Sequence, residues 1–416
     1  MTQHEPEDTG AIFAPQRDGT PQDIYAYYAR FRHAGRVARG DPSWAGGDEI
    51  LALLRFEDVQ AGLRNPRLGK EWQRLLPPGE MPALPEPDSF GDIAHHFMLF
   101  RDPPDHTRLR STANMAFTPR HVNKMRAPIE QLAASLISDL KTHDGPVDFI
   151  ASVAYPLPVL VIAGILGVPE DDFPRFRDWA AVIAAAIDLP VTGLAEFVQR
   201  ADQTTSDLAD YLRWIVKERR QEPQDDLISA MIAADVTEGK IDEKELISTL
   251  ILLLVAGHET TVNLIGNGTL ALLRHPDQWR ELVDDRSLAR NATEELLRYD
   301  SPVQMTTRLA MEDMELAGTS IRRGTEVFLV LGSANRDPLA FEEPDRLDIR
   351  RDVGRIMSFG MGIHFCLGSQ LARLEGEIAF QMLARDVPNL ELAVEEPEWR
   401  AGLILRGLAS LPVTVS

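Results

Sequence analysis

The only cysteine of the chain, Cys366, lies in Phe359-Gly360-Met361-Gly362-Ile363-His364-Phe365-Cys366-Leu367-Gly368, just ahead of a helical pattern. Glycines let the backbone turn sharply and come close to a bulky planar group. A thiolate at the mouth of a helix is favoured by the helix dipole and the free N–H groups there. The segment therefore reads as a loop presenting an anionic axial ligand to a metal cofactor. Thiolate on haem iron favours O–O cleavage. Free cysteines are more often small buried hydrophobes, but the ten-residue context argues against that here.

The 416 residues contain no Gly/Ser- or Pro-rich linker, so residues 21–416 are expected to form one large domain after a flexible arm over residues 1–20. The net charge of −21 argues against nucleic acid, which selects basic surfaces. One cysteine excludes an intrachain disulfide framework and fits a reducing cytoplasm. The polar start, Met1 to Asp8, has neither the basic nor the apolar region of a signal peptide. Phe149 to Val168 carries no charge, but Pro156 and Pro158 interrupt it. What remains is shorter than the roughly 20 residues that cross a bilayer, so a buried core helix and no membrane anchor are expected.

Helical periodicity predicts helices over Asp23–His33, Phe56–Leu63, Thr107–Phe117, Pro119–Leu140, Pro158–Leu166, Phe173–Ile187 and Leu194–Glu222. The longest runs from Glu243 to Arg274, with a capping box at Asp242 and Glu245 and a stop at His275-Pro276. Glu49–Arg55 alternates like a strand, and short strand and turn signals lie in Leu316–Val330 and Leu403–Val415. The fold class is mainly α with small β-sheets. Trp72–Phe97 reads as a long loop, and such loops tend to be functional.

Three further segments carry chemistry. Ala256-Gly257-His258-Glu259-Thr260-Thr261 puts polar groups into a helix whose preceding run, Leu250–Val255, is wholly apolar. Thr260 can bond a carbonyl one turn back. Alone, these six residues read better as an ordinary Thr-rich turn with a solvated Glu. Glu295 and Arg298 are three apart and so are helix neighbours, as in many solvated ion pairs. Pro103-Pro104-Asp105-His106-Thr107-Arg108-Leu109-Arg110 starts a helix bearing several bases.

Together these segments resemble the cytochrome P-450 superfamily, and its soluble bacterial-type members in particular. The Cys366 loop matches the family's Phe-Gly-x-Gly-x-His/Arg-x-Cys-x-Gly pattern at every fixed position. The resemblance implies that haem b lies between the long central helix and the cysteine-loop helix. Cys366 is then the proximal ligand, with Phe359 shielding its sulfur and Ala256 and Gly368 lying against the macrocycle. His106, Arg110, Arg308 and His364 are implied as propionate partners. Thr260 would hydrogen-bond dioxygen and Glu259 would feed protons through water. Glu295 and Arg298, with Arg346 of Phe341–Asp348, form the family's buried structural triad.

The implied activity is monooxygenation of a hydrophobic small molecule, by hydroxylation or epoxidation, in secondary metabolism. Electrons would come from NAD(P)H through a reductase and a ferredoxin or flavodoxin, because the chain shows no dinucleotide fingerprint and one cysteine cannot hold an iron–sulfur cluster. The expected state is a monomer in the cytoplasm. A haem-based gas sensor and a peroxide-driven enzyme are the alternatives; Glu259 and Thr260 argue against the second. Arg108, Arg120, Arg355 and Arg373 are the candidate bases for docking an acidic electron carrier.

Overall fold

The central helix, Glu243–Arg274, organises the molecule. In this computed structural model, residues 24–40, 50–77, 86–187, 194–238 and 241–415 are described; the expected arm over residues 1–20 lies outside them. Asp242 Oδ1 accepts from the Glu245 N–H at 2.8 Å and Glu245 Oε2 accepts from the Asp242 N–H at 3.1 Å, closing the capping box. Ten successive residues, Leu246 to Val255, are buried, so this helix is apolar all round because it is core. It is long and apolar enough to cross a membrane, but most of that stretch is buried inside the protein.

Helices Pro156–Leu166, Phe173–Ile187, Leu194–Gln221, Ala289–Tyr299 and Ser369–Asp386 pack around it. The last begins just after the cysteine, with Gly368 at its N-cap. Pro156–Leu166 follows a single π-type turn, Ile150–Ala154, closed by the Tyr155 N–H on the Ile150 carbonyl at 2.8 Å. The charge-free segment is thus the expected buried helix, with Leu157, Val159, Val161 and Ile162 in the core. The helix expected over Pro119–Leu140 is two, Pro119–Lys124 and Arg126–Leu140, hinged at Met125. Of the long loop, Trp72–Leu75 and Phe90–His95 form short helices, and residues 78–85 lie outside the described residues.

Strands are β1 (Val37–Gly40), β2 (Ile50–Leu53), β3 (Leu68–Gly69), β4 (Val147–Asp148), β5 (Thr306–Ala310), β6 (Met314–Leu316), β7 (Thr319–Ile321), β8 (Glu326–Leu329), β9 (Leu390–Leu392) and β10 (Pro412–Val415). The largest sheet has the order β1-β2-β8-β5-β3, with β2 and β8 parallel and the other pairs antiparallel. It brings residues near Lys70 beside Arg308. A three-stranded sheet, β4-β10-β9, and the β6-β7 hairpin complete the set. The protein is a single, mostly helical domain with small sheets.

Candidate active site

The cysteine loop is shaped by its glycines. Gly360 and Gly362 have φ of +65° and +71°, a region that favours glycine. A side chain at Gly362 would also put its Cβ 2.5 Å from the Leu63 carbonyl oxygen. The Cys366 N–H donates to the Phe359 carbonyl at 2.9 Å, folding the loop back on itself. Burial pushes the Cys366 thiol above its ordinary value, while the Gly368 N–H and the guanidinium groups of Arg110 and Arg373 pull it down. The next residue, Leu367, packs against the cluster that holds Leu250–Val255 of the central helix.

The central helix opens at one point along its length. Ala256 is exposed and Gly257 and Thr260 are half-buried, in a helix otherwise closed on both sides of them. The Thr260 hydroxyl donates to the Ala256 carbonyl at 2.9 Å, the one-turn bond expected from the sequence. Glu259 is buried on another face, paired to Arg400 Nη1. Arg400 Nη2 also donates to Asn263 Oδ1, one turn further along. Sequence reasoning missed Arg400, which comes from the C-terminal segment and has no local signal.

Basic groups converge beside the loop. His106 and His364 have ring centroids 4.4 Å apart, and His106 Nδ1 is buried without a partner. Arg110 Nη2 donates to the Phe365 carbonyl. Arg308 Nη1 and Lys70 Nζ share one acceptor, Thr306 Oγ1, at 3.2 and 3.3 Å. Lys70 was not foreseen; β3 and β5 pair just before it, and that pairing places it there. Burial, then Arg308, holds the Lys70 ammonium well below its usual value. Burial lowers Arg308 to about 10, and burial followed by Arg308, Lys70, His106 and Arg110 takes His364 down to about 2. Asp102 and Glu326 are the carboxylates felt at Lys70, and Asp102 already accepts the Lys70 and Glu71 N–H groups.

These residues fit a flat apolar group with acidic arms. Arg308 is buried and Lys70 half-buried, and an anion set between them would offset the cost of holding two cations so close. Ile363 and Phe365, 51% and 41% exposed, flank the thiol with apolar surface suited to a macrocycle.

Beneath the loop, Glu295 and Arg298 are fully buried and doubly paired, at 2.7 and 2.8 Å. The third member expected, Arg346, is not there. Its side chain is 58% exposed and pairs with Glu343 and Asp348, and only its carbonyl reaches Arg298. Arg351 takes the place, with Nε 3.2 Å from Glu295 Oε1. Leu347, Ile349 and Arg351 point inward, while Arg346 and Arg350 face solvent. That alternation was the signal for Arg351.

The proposed docking bases also divide. Arg108 is held by Glu245 of the central helix and by Asp105 of its own helix, so its charge is already matched. Arg355 and Arg373, with Arg64, line a surface hollow of about 470 Å³ formed by Phe359, Gly360 and Phe365.

The sequence model of the family described as "Cytochrome P450" matches residues 85–386. The chain belongs to the cytochrome P450 family. This P450 is 43% identical over 373 residues to "Vitamin D(3) 25-hydroxylase" of Pseudonocardia autotrophica, covering 88% of each chain. It is 40% identical to "Polyketide biosynthesis cytochrome P450 PksS" of Bacillus subtilis, over 97% of this chain and 99% of that one. The solved PksS structure superposes with a TM-score of 0.86 at 38% identity, all of both chains being covered. The structure of P450BioI with hexadec-9Z-enoic acid-ligated acyl carrier protein gives 0.85 at 36% identity, over 94% of this chain and 98% of that one.

This P450 is a haem-dependent monooxygenase that uses O₂ and NAD(P)H-derived electrons. The relatives give no support to a gas-sensing role.

Proposed function

We propose that the P450 hydroxylates or epoxidises a bulky, largely apolar metabolite of the polyketide or long-acyl class. The observation that supports it is the opened face of the central helix at Ala256 and Thr260, directly after the buried apolar run Leu250–Val255; in this reading that face looks onto the Cys366 loop. Ile93, Ala94 and Phe97 of the predicted loop, with Ile183 and Ala184, are buried in the same apolar cluster as Leu253 and Val255. Relatives named for polyketide and sterol-like substrates agree with that chemistry.

The haem supplies oxygen activation when bound. Cys366 is its ligand, and Arg110, Arg308, His106, His364 and Lys70 neutralise its carboxylates. Thr260 lies at the opened face, and donating there requires its hydroxyl to leave the Ala256 carbonyl. Glu259 carries protons inward from solvent, which requires its carboxylate to leave Arg400. Glu295, Arg298 and Arg351 hold the loop scaffold. A ferredoxin or flavodoxin, reduced by its own reductase, docks over the hollow at Arg64, Arg355 and Arg373, acidic on basic. We place the enzyme in the cytoplasm, as a monomer.

The test is a ligand panel of macrolactones, sterols and free or carrier-bound fatty acids. Binding is read as displacement of the sixth iron ligand, and hits are carried into turnover with a surrogate ferredoxin and reductase. Cys366→Ser should abolish the red-shifted Soret band of the reduced carbon monoxide complex. An unchanged band in that variant would overturn the ligand assignment. Polar, small ligands binding in preference to apolar ones would overturn the substrate class.

A further inference from the structure

One face of the central helix carries a polar stripe inside the protein. Glu259, Asn263 and Asn267 follow one another at intervals of four, so they lie on one side of the helix, and all three are buried. The segment 398–409 is laid across them as a hairpin. Trp399 pairs antiparallel with Leu408, the Arg400 N–H donates to the Gly407 carbonyl at 2.9 Å, and the Ala409 N–H donates to the Glu398 carbonyl at 2.8 Å. Arg400 spans the first two residues of the stripe, with Nη1 on Glu259 and Nη2 on Asn263 Oδ1. The third, Asn267, donates from Nδ2 to the Arg406 carbonyl at 2.9 Å.

The far edge of the hairpin is pinned as well. The Arg406 N–H donates to the Pro302 carbonyl at 2.9 Å, and the Ile404 carbonyl accepts from the Gln304 N–H at 2.8 Å. Arg406 Nε reaches Asp300 Oδ1 at 2.8 Å, and its guanidinium carbon sits 3.7 Å from the centroid of Trp399. Two details show that the hairpin is shaped to aim Arg400. A Cβ at Gly407 would overlap Asn263 Oδ1 and lie 2.6 Å from Arg400 Nη2, so only glycine lets those two groups meet. Asn263 turns its oxygen to Arg400 while its Nδ2 is buried with no partner, an arrangement that packing alone would not retain.

The Arg400 side chain is 38% exposed and Glu259 is buried, so the guanidinium joins a buried acid to the surface. We propose that Arg400 is a positioning residue for the reaction of this P450: aimed by Asn263 and Gly407, it holds Glu259 where the carboxylate takes up a proton from water. Gaining that proton removes the carboxylate's charge, weakens the pair with Arg400 and lets the acid turn inward to give the proton up. The guanidinium keeps all of its own protons, and no electron moves in the step. This rests on Glu259 being the proton carrier.

The first test needs no turnover. In the holoprotein, amide hydrogen exchange over residues 398–409 should quicken by about threefold or more in Asn263→Ala and in Gly407→Ala, because each loosens the hold on Arg400. Unchanged exchange in both would overturn the proposal. The second test reads the solvent isotope effect on NADPH-driven O₂ uptake, with a surrogate ferredoxin and reductase and a long-chain fatty acid as the probe. Arg400→Gln should slow uptake about tenfold and raise the isotope effect, with affinity for the fatty acid within about twofold of the parent. Arg400→Lys keeps the charge but not the fork onto Asn263, and should recover part of the loss. Gly407→Ala keeps the charge and should still raise the isotope effect. In a Glu259→Gln background none of these changes should slow uptake further.

Parent-like uptake and isotope effect in Arg400→Gln would overturn the proposal. So would losses that multiply with those of Glu259→Gln, since the hairpin would then act through packing alone. Should Arg400→Gln fail to fold, Arg400→Lys and Gly407→Ala decide by the same isotope effect. Glu259→Gln by itself separates the two levels: parent-like uptake there removes the carrier assignment, whereas slow uptake there with parent-like Arg400 variants removes only this inference.

Discussion

Glu259 is paired with Arg400, a residue from the C-terminal segment, rather than with anything at the helix face that Ala256 and Thr260 open. Arg400 is anchored by its own N–H on the Gly407 carbonyl at 2.9 Å and by Asn263. The buried acid is thereby held by a partner that is itself more than a third exposed.

Breaking this pair should cost stability. Arg400 is more than a third exposed, so Arg400→Ala should destabilise by about 1–2 kcal/mol, below the 3–5 of a fully buried pair. A double-mutant cycle with Glu259→Gln, read by denaturant melting, should give a coupling above about 0.5 kcal/mol. Additive effects would show that the two do not interact.

If Glu259 carries protons as proposed, Glu259→Gln removes that carrier and keeps the shape. It should slow oxygen-dependent turnover by roughly 10²-fold, with substrate affinity changed less than about twofold. Parent-like turnover would mean that protons enter by another route.

Thr260→Ala should still bind substrate and accept electrons, but should divert them to hydrogen peroxide. Product formed per NAD(P)H consumed should fall by about tenfold. The substrate used must lack a hydroxyl that could replace the threonine's, and unchanged coupling with such a substrate would assign Thr260 to structure alone.

Arg351 and Arg346 give opposite expectations. Arg298→Ala strands Glu295 in the core, should cost about 3–5 kcal/mol and should yield little holoprotein. Arg351→Ala should also lower haem retention and melting temperature. Arg346→Ala should melt like the parent. Equal losses at Arg346 and Arg351 would contradict the position of Arg351.

His258 sets an acid limit. It is fully buried against Tyr155, with both ring nitrogens unpartnered and Glu259 Oε2 3.9 Å away. Burial, then Arg400, lowers it from 6.5 to about 3. The unfolded chain therefore takes up this proton first on acidification. Stability from His258 is complete above about pH 6.5 and is lost as pH falls towards 3, by up to about 1.4 kcal/mol per pH unit. His258→Leu should flatten that limb of the stability profile. An unchanged slope would place the titration elsewhere.

What was legible in the sequence was local. Phe173–Ile187 and Glu243–Arg274 have the bounds that periodicity and capping implied, because each is fixed by residues within a turn of its ends. The Cys366 loop was legible because its glycines must be glycines. Lys70, Arg400 and Arg351 were not, since their roles arise from pairings between distant segments. Arg346 misled because it stands at a motif position whose side chain points outward, whereas the residue meeting Glu295 lies five places on.

The parallel pairing of β2 with β8 has a consequence for biosynthesis. Register between Ile50–Leu53 and Glu326–Leu329 can form only when most of the chain exists. Lys70 and Arg308 meet through the same sheet, and Cys366 comes later still. A nascent chain therefore emerges with β1 and β2 able to pair but with Lys70 and the other edge of β2 unmatched, and contacts of such long range form slowly. Closure of the sheet is thus a late event, so chains interrupted before Glu326–Leu329 should appear in the cell as aggregated or degraded polypeptide.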